Sequence, residues 1–305
     1  MIKRYSSGDR AAWLARRVHL LNASEIGALV GVHPYKTGLG LWAEKSGLYV
    51  PPQEDNVMMQ RGRWLECAGA TALRDRHPDW KLRYPLDIHF VDTERRTGAT
   101  PDSLAEIDGE LVNVQIKVVA PREFDRQWAN GPPLHIELQT LSEGMHVDAD
   151  RSIIAALIVG DYIADLRLFE VPRHAAAERR LQDIAAAFWD RVNTGRRPPA
   201  EPTRDAPTVA AMFPVAQPEP VLDLSGDNRL ITLLPKRETL KAVITRAEKR
   251  AKEIDDEIKC RLAEAETARL DGWKITWKTQ TRAEHVVAAS SFRQLRITRS
   301  EEDAA

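Results

Sequence analysis

Hydrophobic and polar positions change period several times along the chain, and the changes outline its elements. The opening stretch, with Arg4, Arg10, Arg16 and Arg17, reads as a helix, and LNASEIGALVG follows it with Asn22 or Ser24 able to cap a second helix that ends at Gly31. HPYKTGLG breaks the pattern, and Leu41 to Gly47 forms another short helix. From Val57 to His77 a longer helix is expected, because Leu65, Ala68, Ala72 and Leu73 recur at helical spacing and Pro78 lies just past the end.

Beyond Pro78 the spacing shifts to that of strands. Lys81 to Val91, Gly98 to Ile107 and Glu110 to Val119 read as a meander with Asp108-Gly109 as its last turn. Pro132-Pro133 introduces a helix from Leu134 to His146; SIIAALIVG and ADLRLFEV then read as two strands, and a helix from Arg173 to Thr194 stops at Gly195. This order gives an α+β or mixed α/β domain over residues 1–195. Seven of the 18 prolines fall between Arg196 and Pro220, which predicts a linker or extended arm. In the remaining region, 221–305, Leu240, Ile244, Ala247, Ala251, Ile254 and Ile258 alternate in steps of four and three, the pattern of a helix that pairs with another. A small hairpin is expected after it, with GWKITWKTQT facing SFRQLRITR.

Composition narrows the function classes. At 305 residues and 43% hydrophobic, the chain can bury a substantial core. No apolar run reaches the roughly 20 residues that span a bilayer, and MIKRYSSGDRAAWLARR lacks a secretory apolar stretch, so the cytoplasm is expected. Two cysteines, Cys67 and Cys260, cannot form a four-cysteine zinc or iron–sulfur site. His33, His77, His89, His135 and His146 show no zinc-binding spacing. The net charge is −1, yet Lys236 to Arg299 holds 16 Lys/Arg against 10 Asp/Glu, so any affinity for nucleic acid rests on local patches. Trp273, Trp277 and Phe292 lie among Lys274, Lys278, Arg282 and Arg293, a pattern that suits stacking on bases and equally suits packing of the hairpin.

The candidate chemistry lies in TPDSLAEIDGELVNVQIKVV, residues 100–119. Gln115 and Lys117 share one face of a strand and project toward Asp102. A hard divalent cation such as Mg2+ takes oxygen ligands, and a neighbouring lysine orients water and offsets charge on phosphate oxygens. The same spacing also fits a surface hairpin with an incidental acid and lysine. Three more segments add weight: RGRWLE with Glu66 on the long helix, WLARRVHLLNAS with Arg17 and Ser24, and PPLHIELQTLSEGMHV with Gln139. Taken alone, Glu66 and Arg17 also read as solvated charges, Ser24 as a helix cap, and Gln139 as a partner of Glu143 one turn on.

In this order the segments resemble the YqaJ-like phage recombinase exonucleases, relatives of lambda exonuclease in the PD-(D/E)XK nuclease superfamily, over about residues 10 to 195. The resemblance implies a restriction-endonuclease-like mixed central sheet flanked by helices, and an Mg2+-dependent enzyme, with Mn2+ as substitute, that digests one strand of duplex DNA from a 5′ end. It implies that Glu66 and Asp102 are metal ligands, that Gln115 occupies the acid position of the third motif and the Ile116 carbonyl adds a ligand, and that Lys117 is the catalytic lysine. Gln139 matches a glutamine that supports the site, and Arg17 and Ser24 match positions that hold the terminal 5′-phosphate. It further implies a ring-shaped homo-oligomer and a single-strand annealing protein as partner.

Gln115 departs from that pattern, where Glu or Asp is usual. An amide keeps one carbonyl oxygen as a ligand while removing a negative charge. Two readings follow: an active nuclease with weakened metal binding, or an inactive module that binds DNA ends or recruits a recombination partner through the helix from Lys236 to Leu270. A RecB-type nuclease with an iron–sulfur cluster is rejected by the two cysteines, and a purely structural coiled-coil protein leaves the grouping of Glu66, Asp102 and Lys117 unexplained.

Overall fold

In the computed structural model, which describes residues 1–50, 57–219, 221–283, 289 and 292–299, the chain forms two compact units, Met1–Pro214 and Val215–Ala305. The first unit runs β1 (Ile2–Ser6), α1 (Arg10–Val18), β2 (Leu21–Asn22), a 3-10 turn over Ala23–Glu25, α2 (Ile26–Leu29), α3 (Gly38–Lys45) and α4 (Val57–Arg76). It continues with β3 (Ile88–Asp92), β4 (Thr97–Ala99), β5 (Ser103–Ile107), β6 (Glu110–Val119), α5 (Pro121–Gln127) and α6 (Leu134–Val147). It closes with β7 (Arg151–Val159), β8 (Ala164–Pro172), α7 (Ala175–Thr194) and α8 (Pro202–Met212).

Two mixed four-stranded sheets result, ordered β1-β3-β4-β2 and β5-β6-β7-β8. In the second, β6 and β7 pair in parallel while both outer pairs are antiparallel. Asp108 and Gly109, with φ of 52° and 87°, make the tight turn that returns β5 onto β6, as the Asp-Gly pair predicts. The sheet is covered on both faces. Val112, Val114 and Ile116 of β6 join Ile153, Ala155 and Leu157 of β7 against Ala70 and Leu73 of α4. On the other face, Ile154 and Ala156 meet Ile136 of α6 and Trp128. β7 is therefore apolar on both sides, whereas β6 turns Asn113, Gln115 and Lys117 toward the α6 face and buries the first two. A separate core joins α2, α3 and α7 through Ile26, Leu41, Trp42, Leu181 and Phe188.

Besides the opening stretch, where Ile2–Ser6 pairs as β1 and the helix begins only at Arg10, four expectations are corrected. The strand from Lys81 to Val91 contracts to β3, because Asp87 takes a positive φ of 48°; Lys81 and Arg83 instead bond to the backbone of Glu106 and Leu104. The strand from Gly98 to Ile107 divides into β4 and β5 around Thr100–Asp102, where Pro101 has no N–H for a ladder. The proline-rich stretch contains α8, with Pro202 in its first turn, where proline is well suited. Buried Asp205 fastens it by accepting from the Thr37 hydroxyl and, at 2.6 Å, from the Glu201 amide, while Arg204 donates to the His33 carbonyl at 2.6 Å.

The fourth lies in the second unit, which holds α9 (Asn228–Leu262), β9 (Thr267–Leu270) and β10 (Trp273–Thr276). Trp273–Thr276 pairs with the preceding Thr267–Leu270 through a two-residue turn at Asp271-Gly272, with Gly272 at φ 78°, and not with the later SFRQLRITR. Within that later segment, Phe292–Arg299 carries no strand, and Ser291 lies outside the described residues. Among the described residues no helix is long and apolar enough to cross a membrane.

Candidate active site

The break between β4 and β5 creates the centre of the site. Ser103 pairs with Val114, so Asp102 stands just ahead of the paired strand, opposite Gln115. Its side chain substitutes for the missing ladder: Asp102 Oδ2 accepts from the Ile116 amide at 2.8 Å and from the Gln115 carboxamide. Enclosure raises the Asp102 pKa above its ordinary value, with Lys117 and these two hydrogen bonds opposing the rise.

Glu66 reaches the same centre from α4. Gly69, one turn further along, lets the helix approach β6, since a Cβ there would stand 2.6 Å from Ile116 Cγ2. Residues three apart share a helix face, so the contact at Gly69 carries Glu66 toward Asp102. Burial and then the Asp102 carboxylate push Glu66 up to about 7, against the pull of Lys117 and a hydrogen bond from the Tyr84 hydroxyl. Two carboxylates that resist ionising together, beside one ammonium group, form a place short of positive charge. That donor set fits a hard cation. Among the described residues no three His, Cys, Asp or Glu side chains form a metal-binding group, so a third protein ligand would have to be an amide or carbonyl oxygen.

The amide at position 115 has a defined polarity. Lys117 Nζ has only hydrogens to offer and lies 3.4 Å from Gln139 Oε1, which directs the Gln139 NH2 away from it. That NH2 donates to Gln115 Oε1 at 3.1 Å and to Glu143 Oε1 at 2.8 Å. Gln115 is left with its own NH2 toward Asp102. Its oxygen therefore serves Gln139, and ligation of a cation through that oxygen requires the carboxamide to turn over.

Glu143 ends the chain of bonds and is buried. Burial first, then Asp102, push its pKa up to about 8, while Lys117 and the neighbouring Gln139 and Asn113 amides oppose the shift. Among the described residues Glu143 Oε2 and Asn113 Oδ1 have no hydrogen-bond partner, and Asn113 Nδ2 donates to the Thr140 carbonyl at 3.1 Å. A buried carboxyl oxygen without a partner is costly to charge, which agrees with the upward shift of Glu143.

A second cluster flanks this centre. Trp13 Nε1 donates to Thr100 Oγ1 at 3.1 Å, tying α1 to the strand break. The Arg17 guanidinium lies 4.6 Å from the Trp13 ring centroid and donates to Ser24 Oγ at 3.1 Å. Burial lowers its pKa, and Glu25, Glu44 and Glu143 counter that. Glu25 holds the surrounding cations in place: its carboxylate meets Lys36 at 2.9 Å and Lys45 at 3.1 Å. Although burial disfavours its charge, Lys36, Lys45 and Arg17 bring Glu25 down to about 2. His33 and His135, with ring centroids 5.8 Å apart, sit beside the centre; burial and then Lys117 lower His135, and burial, His135 and Lys36 lower His33 to about 4.

The structure thus brings Glu66, Asp102, Gln115, Lys117 and Gln139 together and puts Arg17 against Ser24 nearby. Tyr84 and Glu25 were not marked by any sequence motif, and Glu143 was legible only as a local partner of Gln139. A hydroxyl outside regular structure and acids within helix turns give no periodic signal.

The family model of the YqaJ-like viral recombinase domain matches residues 12–150. Among solved structures, an alkaline exonuclease from Laribacter hongkongensis is similar at 16% identity, over 61% of this chain and 93% of its own, with a TM-score of 0.49. The same exonuclease in complex with dAMP has the same identity and coverage and a TM-score of 0.47. A phage-related exonuclease from Haemophilus somnus 129PT is 12% identical over 58% of this chain and 96% of its own, with a TM-score of 0.42. No curated protein matches the chain.

Proposed function

We propose, from the match of residues 12–150 to the model of the YqaJ-like viral recombinase domain, that the protein is a cation-dependent exonuclease that digests one strand of linear duplex DNA from its 5′ end. The match supports a nuclease of phage-type recombination. The polarity, the metal and the residue roles are the further content of the proposal, as is action in the cytoplasm.

The observation that carries it is the convergence of Asp102, Gln115, Lys117 and Gln139 through hydrogen bonds at the head of β5 and β6, with Glu66 brought toward them by the close approach of α4 at Gly69. Glu66, Asp102 and the Ile116 carbonyl would hold Mg2+ or Mn2+, with Gln115 joining if its carboxamide turns. A cation bound there supplies Lewis-acid stabilisation of charge on the scissile phosphate. Lys117 orients the attacking water and offsets charge on the phosphate oxygens, and Gln139 fixes the lysine by accepting a hydrogen bond from it at 3.4 Å. Arg17 and Ser24 would hold the terminal 5′-phosphate, with the Trp13 ring and Glu25 keeping them in place. A ring-shaped oligomer on the DNA and a single-strand annealing partner complete the proposal.

Incubation with 5′-phosphorylated linear duplex and Mg2+ or Mn2+ tests it by release of soluble nucleotides. Lys117→Ala is expected to abolish release with an unchanged melting temperature. Arg17→Ala is expected to erase any preference for 5′-phosphate over 5′-hydroxyl ends. No release with either cation favours the second reading, a DNA-end-binding module. The orientation of the Gln115 NH2 toward Asp102 supports that reading, because the bond lowers the local demand for a cation.

A further inference from the structure

α9 is 35 residues long and carries an apolar seam exposed to water. Leu240, Ile244, Ala247, Ala251, Ile254 and Ile258 occupy successive a and d heptad positions. Leu240 and Ile244 are each 54% exposed and Ile254 47%. Most helical stability comes from burying such a stripe rather than from intrinsic propensity, so a helix of this length with its seam in solvent is incomplete.

We propose that the α9 seam closes against α9 of a second copy of this chain, antiparallel, in a twofold-symmetric pair. Three observations select this occupant. The first is the symmetry of the seam about Lys249: running the second helix in reverse sets Leu240 across from Ile258, Ile244 across from Ile254 and Ala247 across from Ala251. Every layer is then apolar, and the alanines fall at the centre, where small side chains let helix axes approach to about 8 Å.

The second is charge. Lys236 to Lys252 carries seven Lys/Arg and two Glu, whereas Glu253 to Leu262 carries four acids and two bases. A parallel pair would lay the basic half on itself; the antiparallel pair lays it on the acidic half.

The third is which charges are already used. Arg250 pairs with Glu253, Lys252 and Lys259 with Asp256, and Arg261 with Glu257, all within the helix. Lys241 and Asp255, both at the e position beside the seam, have no hydrogen bond or ion pair among the described residues. In the antiparallel register each Lys241 faces Asp255 of the second copy, twice per pair by symmetry. Glu248 and Arg250 meet their own counterparts at the twofold axis, and Arg250 enters that contact already neutralised by Glu253 at 3.0 Å.

Sedimentation of the full-length chain tests this. An association whose mass halves on dilution is expected, whether the halves are single chains or the rings proposed above, and a chain that stays monomeric at every soluble concentration overturns the proposal. Lys241→Glu is expected to weaken association roughly tenfold, since two exposed pairs are lost and replaced by repulsion, and K241E combined with D255K restores it. Failure of the double variant to recover overturns the register. Cysteine variants in a background with Cys67 and Cys260 replaced by serine read the orientation. Ile244→Cys with Ile254→Cys is expected to cross-link between chains on oxidation, and Ile244→Cys alone is not. Cross-linking of the single variant to its own counterpart would instead show a parallel pair.

Discussion

Gln139 Nε2 lies 3.1 Å from Gln115 Oε1, and that bond decides which end of Gln115 faces Asp102. The order runs from Lys117, which can only donate, through the two carboxamides to a carboxylate that can only accept. An acid at position 115 would reverse the last step, facing Asp102 with a second negative oxygen. Gln115 thus stabilises the cation-free site that a carboxylate would strain.

Gln115→Glu follows directly from this. Without divalent cation the variant should melt below the parent, since a donated bond becomes a repulsion between enclosed carboxylates, at a cost of about 1–3 kcal/mol. With saturating Mn2+ it should gain more stability than the parent does, and any nuclease activity should rise. Thermal melting with and without Mn2+ checks both halves, and equal Mn2+ shifts in the two proteins would contradict the polarity described.

Glu143 gives a sharper separation between charge and hydrogen bonding. A carboxyl held towards its neutral form that accepts from Gln139 is mimicked by glutamine, so Glu143→Gln should retain the fold and site. Glu143→Leu should lose both. The pH dependence has a definite sign. Because the folded pKa is raised from 4.5 to about 8, the native state keeps a proton that the unfolded chain releases. Stability from this group is therefore full below 4.5 and declines as pH rises toward 8. Urea midpoints across that range should fall for the parent and flatten for Glu143→Gln.

Glu66 predicts how cation binding varies with pH. With its carboxyl lifted to about 7, a cation must displace a proton below that pH and none above it. Mn2+ affinity should climb by up to about tenfold per pH unit toward 7 and then level off, and Glu66→Gln should remove most of the slope. Titration calorimetry in buffers of different ionisation enthalpy measures the protons released. A flat profile would place Glu66 outside the binding set.

Much of the first unit was legible because its strands obey simple rules. β6 shows its turn in Asp108-Gly109 and its two faces in alternation, and from those Gln115 and Lys117 follow. The hairpin of the second unit takes a nearer partner than the sequence suggests: Thr267–Leu270, which continues the helical stretch in the sequence, forms a strand across Asp271-Gly272 and closes the shorter loop. α8 was hidden by proline count; its stability depends on Asp205 meeting Thr37, 168 positions earlier, a contact that no local pattern announces. The neutrality of Glu143 was hidden for a related reason. A glutamate in a helix is ordinarily solvated, and only the covering of α6 onto β6 removes the water from this one.

Gly69 links the packing of the fold to the placement of the acid. Its missing side chain lets α4 lie against Ile116, and Glu66 depends on that approach. Gly69→Ala would place a methyl 2.6 Å from Ile116 Cγ2, so helix and strand must separate by several tenths of an ångström. The overpacking should cost about 1–3 kcal/mol despite alanine's better helix propensity. Cation affinity should fall with it, because Glu66 moves away from Asp102. Ile116→Ala removes the opposing methyl, so the combination G69A with I116A should be less destabilised than the two single changes added together. Melting and Mn2+ titration on the three variants measure that coupling; strict additivity would mean that α4 does not rest on Ile116 and that another contact sets the position of Glu66.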